Sequence, residues 1–440
     1  MINLKSWENE RCCHYKLAWR MLPVFSEFIS FLNNKLNKKV GVADASCWVD
    51  NGFIKAFTSE GKLHKLYKYK VYDDLSISLE KHKEYIEADF ETWDQTIQRL
   101  SPELDEKVNE SLDVIRDTIK KYNTSDLWAL TSTGKDSTVV IDLVNKIKPD
   151  INIMFHNTSL DVADTYKIVK MHPEWIVTNP KEGFYVYSKR IGFIPTRFTR
   201  ACCRIYKEEA GDKWFEEHNI DNLMMFMGVR NDESTARSDR QFIERNPKWK
   251  NPNWLSCLPI RKWTDLDVWL YMLRENLEIN PKYKKGYTRV GCGIACPFYG
   301  KSTWVLDEYW YNSAYKRWHE YLEDSFIKAR RWVRTNCTLA EYHNCWNGGL
   351  IREEPTEEVI QEMMHYTGLE RDTVLKYFNK VCECGDPVKN PEALGMNYKF
   401  FGLDAEQVYC KDCLKKKLNM KEADWRANIN TFKEQGCKLF

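Results

Sequence analysis

Two kinds of grouping in this 440-residue sequence are suited to chemistry: one short loop of small and charged residues, and several closely spaced cysteines. The loop is Ser132-Thr133-Gly134-Lys135-Asp136-Ser137. It follows an apolar run at 127–130 and precedes Val139, Val140, Leu143, Val144 and Ile147, which recur at helical spacing, so the stretch reads strand, loop, helix. A turn of that kind aims backbone N–H groups and the positive end of a helix dipole at one spot, which suits a phosphate. Gly134 lets a ligand approach the main chain, Lys135 adds a mobile charge, and Ser137 and Thr138 add hydroxyls. Asp136 either holds a magnesium ion or caps the helix. A Walker A loop needs a glycine five residues before its Gly-Lys pair, and Ala129 stands there instead, so that reading fails. The plain alternative is a solvated strand-to-helix turn.

The cysteines divide into three sets. Cys382 and Cys384 precede Cys410 and Cys413, each pair in a polar, turn-like setting, which is the arithmetic of a four-cysteine zinc site. Cys202 and Cys203, with Cys292 and Cys296, supply four thiolates for a [4Fe-4S] cluster; zinc or buried thiols are the alternatives, and Cys257 is a replacement ligand. Cys12, Cys13 and His14 have no second pair nearby, which favours a structural role.

These residues need elements to hold them. With 43% hydrophobic residues and a net charge of +2, the chain reads as a globular protein of several domains, and its near-neutral balance does not demand nucleic acid. No apolar run approaches a membrane span and the N-terminus lacks a signal-peptide core, so no membrane association and a cytoplasmic location are expected. In that compartment the cysteines are metal candidates rather than disulfides.

Residues 1–125 read as an α+β extension. An amphipathic helix is expected from Trp19 to Leu36, hairpin turns at Asn51-Gly52 and Glu60-Gly61, and a helix opening at Ser101-Pro102-Glu103 and ending near Tyr122. From 126 to 300, strands at 127–130, 151–155, 175–177 and 223–229 alternate with helices, the pattern of a parallel twisted sheet with helices on both faces. Ligands bind such sheets beyond the strands' carboxyl ends, where Asn157 and Thr158 are candidates for the adenine side of a nucleotide. Residues 301–378 form a helical region, and 379–440 the four-cysteine segment. The stretch 301–334 is helical, basic and aromatic, suited either to tracking a nucleic-acid strand or to burying its rings.

The loop resembles the SGGKDS signature of the PP-loop superfamily, shared by ATP pyrophosphatases, ATP sulfurylase small subunits, tRNA thiolation enzymes and sulfonucleotide reductases; Thr133 stands at a usual glycine. The resemblance widens over 126–298. The segment FHNTSLDVADTYKIV is similar to the family's second motif, and Arg200 to Lys207 looks like its Arg, Cys and Lys cluster. Gly228, Arg230, Glu233, Ser234 and Arg237 match its GxRxxES-x-x-R block, and Pro259, Trp263, Asp267 and Trp269 its P-x-x-x-W-x-x-x-D-V-W block. Phosphoadenylylsulfate (PAPS) reductases and the phosphorothioation protein DndC share this fold, and related members carry iron–sulfur clusters.

The resemblance implies an adenine nucleotide cradled by residues 132–137, with Arg200, Lys207, Arg230 and Arg237 neutralising phosphate or sulfate. PAPS reductases generally lack the Lys-Asp pair, so its presence implies ATP and Mg2+ with cleavage between the α and β phosphates. Lys135, Asp136, Arg230 and Arg237 are then the catalytic candidates. The acceptor is a nucleic acid or another group activated for sulfur insertion, with a sulfur-donor or complex partner protein. Two alternatives stay open: a sulfonucleotide reductase, with Glu383-Cys384-Gly385 copying its nucleophile motif, and a non-catalytic ATP-sensing subunit.

Overall fold

The computed structural model describes residues 21–40, 45–72, 74–83, 89–122, 126–191, 194–196, 201–233, 237, 239–246, 249–328, 336–346, 354–378, 380–386, 388, 390–402 and 407–434. They fall into two units: Met1–Lys181 with Arg204–Ile294 and Tyr299–Asn312, and Glu182–Cys203 with Ala295–Phe298 and Ser313–Phe440.

The first unit contains two sheets. Strands β1 (Leu22–Pro23), β2 (Cys47–Asp50), β3 (Phe53–Phe57), β4 (Leu63–Val71) and β5 (Ile77–Lys81) make an antiparallel sheet in chain order. Both expected hairpin turns are present: Asn51 and Gly52 sit at φ 49° and 76°, and Gly61 at 75°, the left-handed geometry that such tight turns demand. The expected first helix is shorter than its apolar pattern, running Ser26–Leu36. Leu22 and Pro23 form edge strand β1 instead, where a residue without an N–H is tolerated. The helix expected to open at Ser101 begins earlier and spans Trp93–Tyr122 with Pro102 inside it. Thr92 and Gln95 exchange capping hydrogen bonds of 2.9 and 3.3 Å, a stronger start signal than the proline.

The second sheet comprises β6 (Asp126–Thr131), β7 (Asn152–His156), β8 (Ile176–Thr178), β9 (Leu223–Phe226), β10 (Ile243–Glu244) and β11 (Trp254–Cys257), ordered β10-β11-β9-β6-β7-β8. All neighbours are parallel except β10 and β11. The chain passes from β6 to β7 and β8 on one side and returns to β9 on the other, so the topological switch lies between β6 and β9. That is where open α/β sheets leave a crevice for ligands. Leu127, Ala129, Val139, Val140, Leu143 and Val144 are buried in a core that continues through Met224 and Trp269 to Trp48 and Ile54 of the first sheet. Residues before 126 therefore brace the parallel sheet within this unit.

The stretch expected as one basic aromatic helix is two, Lys301–Trp310 and Asn312–Lys328, broken at Tyr311. Trp304 and Trp318 are buried. Within the second unit Trp318 packs on Tyr321 and Trp346, with Phe184 and Tyr185 beside it, so these rings build core. Arg330, Arg331 and Arg334 lie outside the described residues. Among the described residues no helix is long and apolar enough to cross a membrane.

Candidate nucleotide site and four-cysteine metal centre

The loop after β6 leads into the helix Lys135–Asn145, whose N-cap is Gly134. The loop closes on itself: Ser137 Oγ donates to the Gly134 carbonyl at 2.9 Å, Thr138 Oγ1 donates to the same oxygen at 3.1 Å, and the Ser132 N–H reaches Ser137 Oγ at 3.3 Å. Gly134 has φ −86°, an ordinary value. The left-handed residue is Thr133 at φ 55°, unusual for a β-branched side chain. Its N–H donates to Thr131 Oγ1 at 3.0 Å and its hydroxyl accepts from Asn280 Nδ2 at 2.8 Å, which hold that conformation. At Gly134 a side chain would crowd Ser132 Oγ and Tyr283 Oη, the latter accepting the Lys135 N–H at 3.1 Å.

Lys135 is not the mobile surface charge that its motif suggests. Its side chain is 1% exposed, with Nζ 2.9 Å from Asp136 and 2.8 Å from Asp265. Asp136 does not cap the helix. It accepts from Arg230 Nε at 2.6 Å, and the Arg230 guanidinium also pairs with Asp265, with Asp232 at 3.2 Å and with the Trp263 carbonyl at 3.2 Å. Arg230, expected to face phosphate, is buried and committed to carboxylates; Asp136 and Asp265 raise its pKa against the opposing effect of burial, the largest influence. Two buried cations thus share two buried carboxylates, an arrangement tolerable in low dielectric only because each charge has partners.

Gly228 explains how β9 approaches this network. A Cβ there would meet Asp136 C at 2.5 Å and Ser137 N at 2.7 Å, so only glycine lets the strand end pack on the first turn of the helix. Arg237 pairs with Glu233, whose carboxylate also accepts the Arg230 N–H at 3.2 Å. Asp267, read from sequence as a cap, does form a capping box with Thr264. Its neighbour Asp265 carried no expectation. An aspartate in a first helical turn reads as dipole compensation, and only the fold reveals that it faces Lys135.

Asn157 and Thr158 depart from the expected adenine contacts. Asn157 Oδ1 accepts from the Ser159 N–H at 2.8 Å and Tyr166 Oη at 2.9 Å, while buried Thr158 donates to Asp161 at 2.5 Å. Both therefore shape the turn after β7. Burial, aided by the Lys207 charge, lowers the neighbouring His156 to about 4, and burial raises Asp161 despite its Thr158 hydrogen bond and Lys207. Lys207 thus acts on this strand end rather than on the phosphate loop. Arg200 lies outside the described residues, as do Ser234, Cys12, Cys13 and His14.

The C-terminal cysteines converge. The sulfurs of Cys382, Cys384, Cys410 and Cys413 all lie within 4.8 Å of one another, with Cys384 and Cys410 3.8 Å apart. Four thiolates at about 2.3 Å from one ion sit roughly 3.8 Å apart, so the donor set fits a tetrahedral metal. Gly385, at φ 91°, turns the first knuckle, and its N–H donates to the Cys382 carbonyl at 2.8 Å. Cys410 is the N-cap of helix Lys411–Lys417, with Cys413 in its first turn. Burial raises the Cys382 thiol, but N–H groups of Cys384 and Cys410 outweigh it and lower the thiol to about 7. A small core of Val388, Met396, Tyr409, Leu414, Trp425 and Ile429 backs the site.

Of the other candidate ligands, Cys292 belongs to the first unit and Cys202, Cys203 and Cys296 to the second; Cys203 is half-buried and the rest are buried. Cys257 is no replacement ligand: burial pushes its thiol up to about 12, and its sulfur lies 3.6 Å from Thr118 Oγ1.

A parallel sheet with a Gly-Lys-Asp-Ser loop at its switch point defines a PP-loop α/β domain. Residues 126–297 match the family model of the phosphoadenosine phosphosulfate reductase domain, and that segment belongs to this family. An uncharacterized protein of Methanocaldococcus jannaschii is 33% identical over 212 residues, which are 47% of this chain and 43% of that protein. Adenosine 5'-phosphosulfate reductase of Lysinibacillus sphaericus is 26% identical over 197 residues, 43% of this chain and 81% of the enzyme. Among solved structures, the phosphoadenylyl-sulfate reductase of Candida auris aligns over 45% of this chain and 94% of its own, with 20% identity and a TM-score of 0.34. The U34-tRNA thiolase NcsA of Methanococcus maripaludis, with its [4Fe-4S] cluster, aligns over 64% and 92%, with 16% identity and a TM-score of 0.30.

Proposed function

We propose that the loop 132–137 binds ATP and that the chain cleaves it between the α and β phosphates, as an ATP pyrophosphatase or adenylyltransferase. The observation carrying this reading is Lys135 clasped by Asp136 and Asp265 at the helix N-terminus. A triphosphate entering there offers Lys135 a more highly charged partner than Asp265, while Arg230 continues to compensate the two carboxylates. Lys135 then bonds the departing pyrophosphate, and the first N–H groups of the helix hold the α-phosphate. An acceptor oxygen forms a bond to the α-phosphorus, the bond to the bridging oxygen breaks, and its electron pair leaves with pyrophosphate. Asp136 is the residue that would hold magnesium, which when bound neutralises charge on the phosphates.

The acceptor in this reading is a nucleic acid or another group adenylated for later sulfur insertion, with a sulfur-donor protein as partner. The four-cysteine centre holds zinc in a structural role, supplying folding energy to a segment with little core.

A second reading, reduction of an adenylyl sulfate, is favoured by the Lysinibacillus sphaericus relative. It requires a thiol nucleophile. Cys384, the cysteine that copies the reductase motif, stands among three other sulfurs in a metal-ligand arrangement, which counts against it. Product analysis separates the two. Incubation with ATP and magnesium is expected to release pyrophosphate, whereas sulfite from adenylyl sulfate plus thiol, with no pyrophosphate from ATP, would replace the first reading with the second.

A further inference from the structure

Away from the nucleotide loop and the cysteine centre, the second unit brings two histidines together. His319 lies on the helix Asn312–Lys328 and His343 on Leu339–Cys345. Their Nδ1 atoms are 3.2 Å apart, with ring centroids 4.9 Å apart and planes inclined at 64°. Two imidazoles bound to one tetrahedral ion at about 2.0–2.1 Å place their nitrogens roughly 3.4 Å apart, close to this spacing. Both rings are kept neutral, the form that binds metal: burial lowers His319 to about 4, with His343 adding to the effect, and burial also lowers His343. The other ring nitrogen of His343 is buried without a hydrogen-bond partner among the described residues.

A carboxylate stands close by. Glu323 follows His319 by one helical turn, so the two share a helix face. Its charge acts on His343 and on Tyr366. The neighbouring acids are occupied: Glu341 caps Thr338, and Glu362 accepts the Leu339 N–H at 2.6 Å. Glu323 is the acid near the pair with no such commitment among the described residues.

We propose that His319 and His343, completed by Glu323, bind a divalent transition metal such as zinc, separately from the four-cysteine centre. Two nitrogens and one oxygen leave a fourth position for water, the donor set of an open zinc site rather than a closed structural one. The site is assembled by two helices, so metal there ties them together.

The test is the zinc content of the full chain after equilibration with zinc and removal of loosely bound ion, with iron counted separately. Compared with the wild type, His319→Ala and His343→Ala are each expected to lose one zinc equivalent, and Glu323→Gln to bind that equivalent at least tenfold more weakly. Cobalt loaded in place of zinc is expected to add, in the wild type but not in either histidine variant, a visible band without the thiolate charge-transfer absorption of the cysteine centre. Equal zinc content in the wild type and both histidine variants would overturn the proposal and leave an imidazole–imidazole hydrogen bond as the whole content of the pair. Should a histidine variant fail to fold, the cobalt spectrum of the wild type decides: thiolate-bound cobalt alone contradicts the second site.

Discussion

Arg230 Nε stands 2.6 Å from Asp136 Oδ1, so the arginine following β9 is bonded to the aspartate of the loop following β6. These strands are neighbours in the sheet but far apart in sequence. The bond therefore fixes the phosphate loop against the opposite side of the switch point. Asp265 completes the arrangement by accepting from both Arg230 and Lys135.

Removing Arg230 leaves Asp136 and Asp265 with one cation between them in a buried setting. Arg230→Met is expected to destabilise the first unit by roughly 3–5 kcal/mol, the cost of breaking a buried ion pair from one side. Urea unfolding monitored by tryptophan fluorescence measures it. An arginine that only gripped phosphate would instead leave the midpoint unchanged and weaken nucleotide binding alone.

Gly228 makes a second expectation sharp. A methyl group there collides with the main chain of Asp136 and Ser137, so Gly228→Ala displaces the first turn of the helix. ATP affinity, read by calorimetry, is expected to fall at least tenfold, about 1.4 kcal/mol or more. Metal content at the four cysteines should stay as in the wild type.

Thr133 tests the balance of strain and bonding in the loop. Its left-handed backbone costs an L-residue roughly 1–2 kcal/mol, offset by about 1 kcal/mol from the hydrogen bond donated by Asn280. Thr133→Gly is therefore expected to stay within about 1 kcal/mol of wild-type stability, since it loses both terms. Thr133→Val keeps the strain and loses the hydroxyl, and should fall by roughly 1–3 kcal/mol in the same unfolding measurement.

The buried His156 gives the first unit a pH dependence. Its folded pKa is about 4 against an ordinary 6.5, so the unfolded chain takes up a proton that the fold refuses. Stability is unaffected above pH 6.5, declines as pH falls from there to about 4, and loses up to roughly 3 kcal/mol in total. His156→Gln should flatten that slope, measured as urea midpoints across the range; a slope equal to the wild type would assign the effect elsewhere.

Much of this was legible before the fold. The strands around 127–130 and 151–155, the helix after Gly134 and the two cysteine pairs near the C-terminus rest on local pattern, which a sequence displays directly. What it concealed depends on tertiary neighbours. Lys135 reads as a mobile charge until Asp265, far along the chain, is seen beside it. Arg230 reads as a phosphate ligand until its guanidinium is found buried. Asn157 and Thr158 look like binding groups because polar strand ends often are, yet their hydrogen bonds are spent within their own turn. His319 and His343 carried no signal, since neither spacing nor composition foretells that two helices bring them together.

The central claim is that the bend at 132–137 holds the phosphates of ATP. The most direct measurement is a crystal structure of the full chain with magnesium and a non-hydrolysable ATP analogue. The account predicts phosphate oxygens on the N–H groups at the start of the helix Lys135–Asn145 and Lys135 Nζ moved from Asp265 onto the triphosphate. A nucleotide bound elsewhere, with Lys135 still clasped by Asp136 and Asp265, would contradict it.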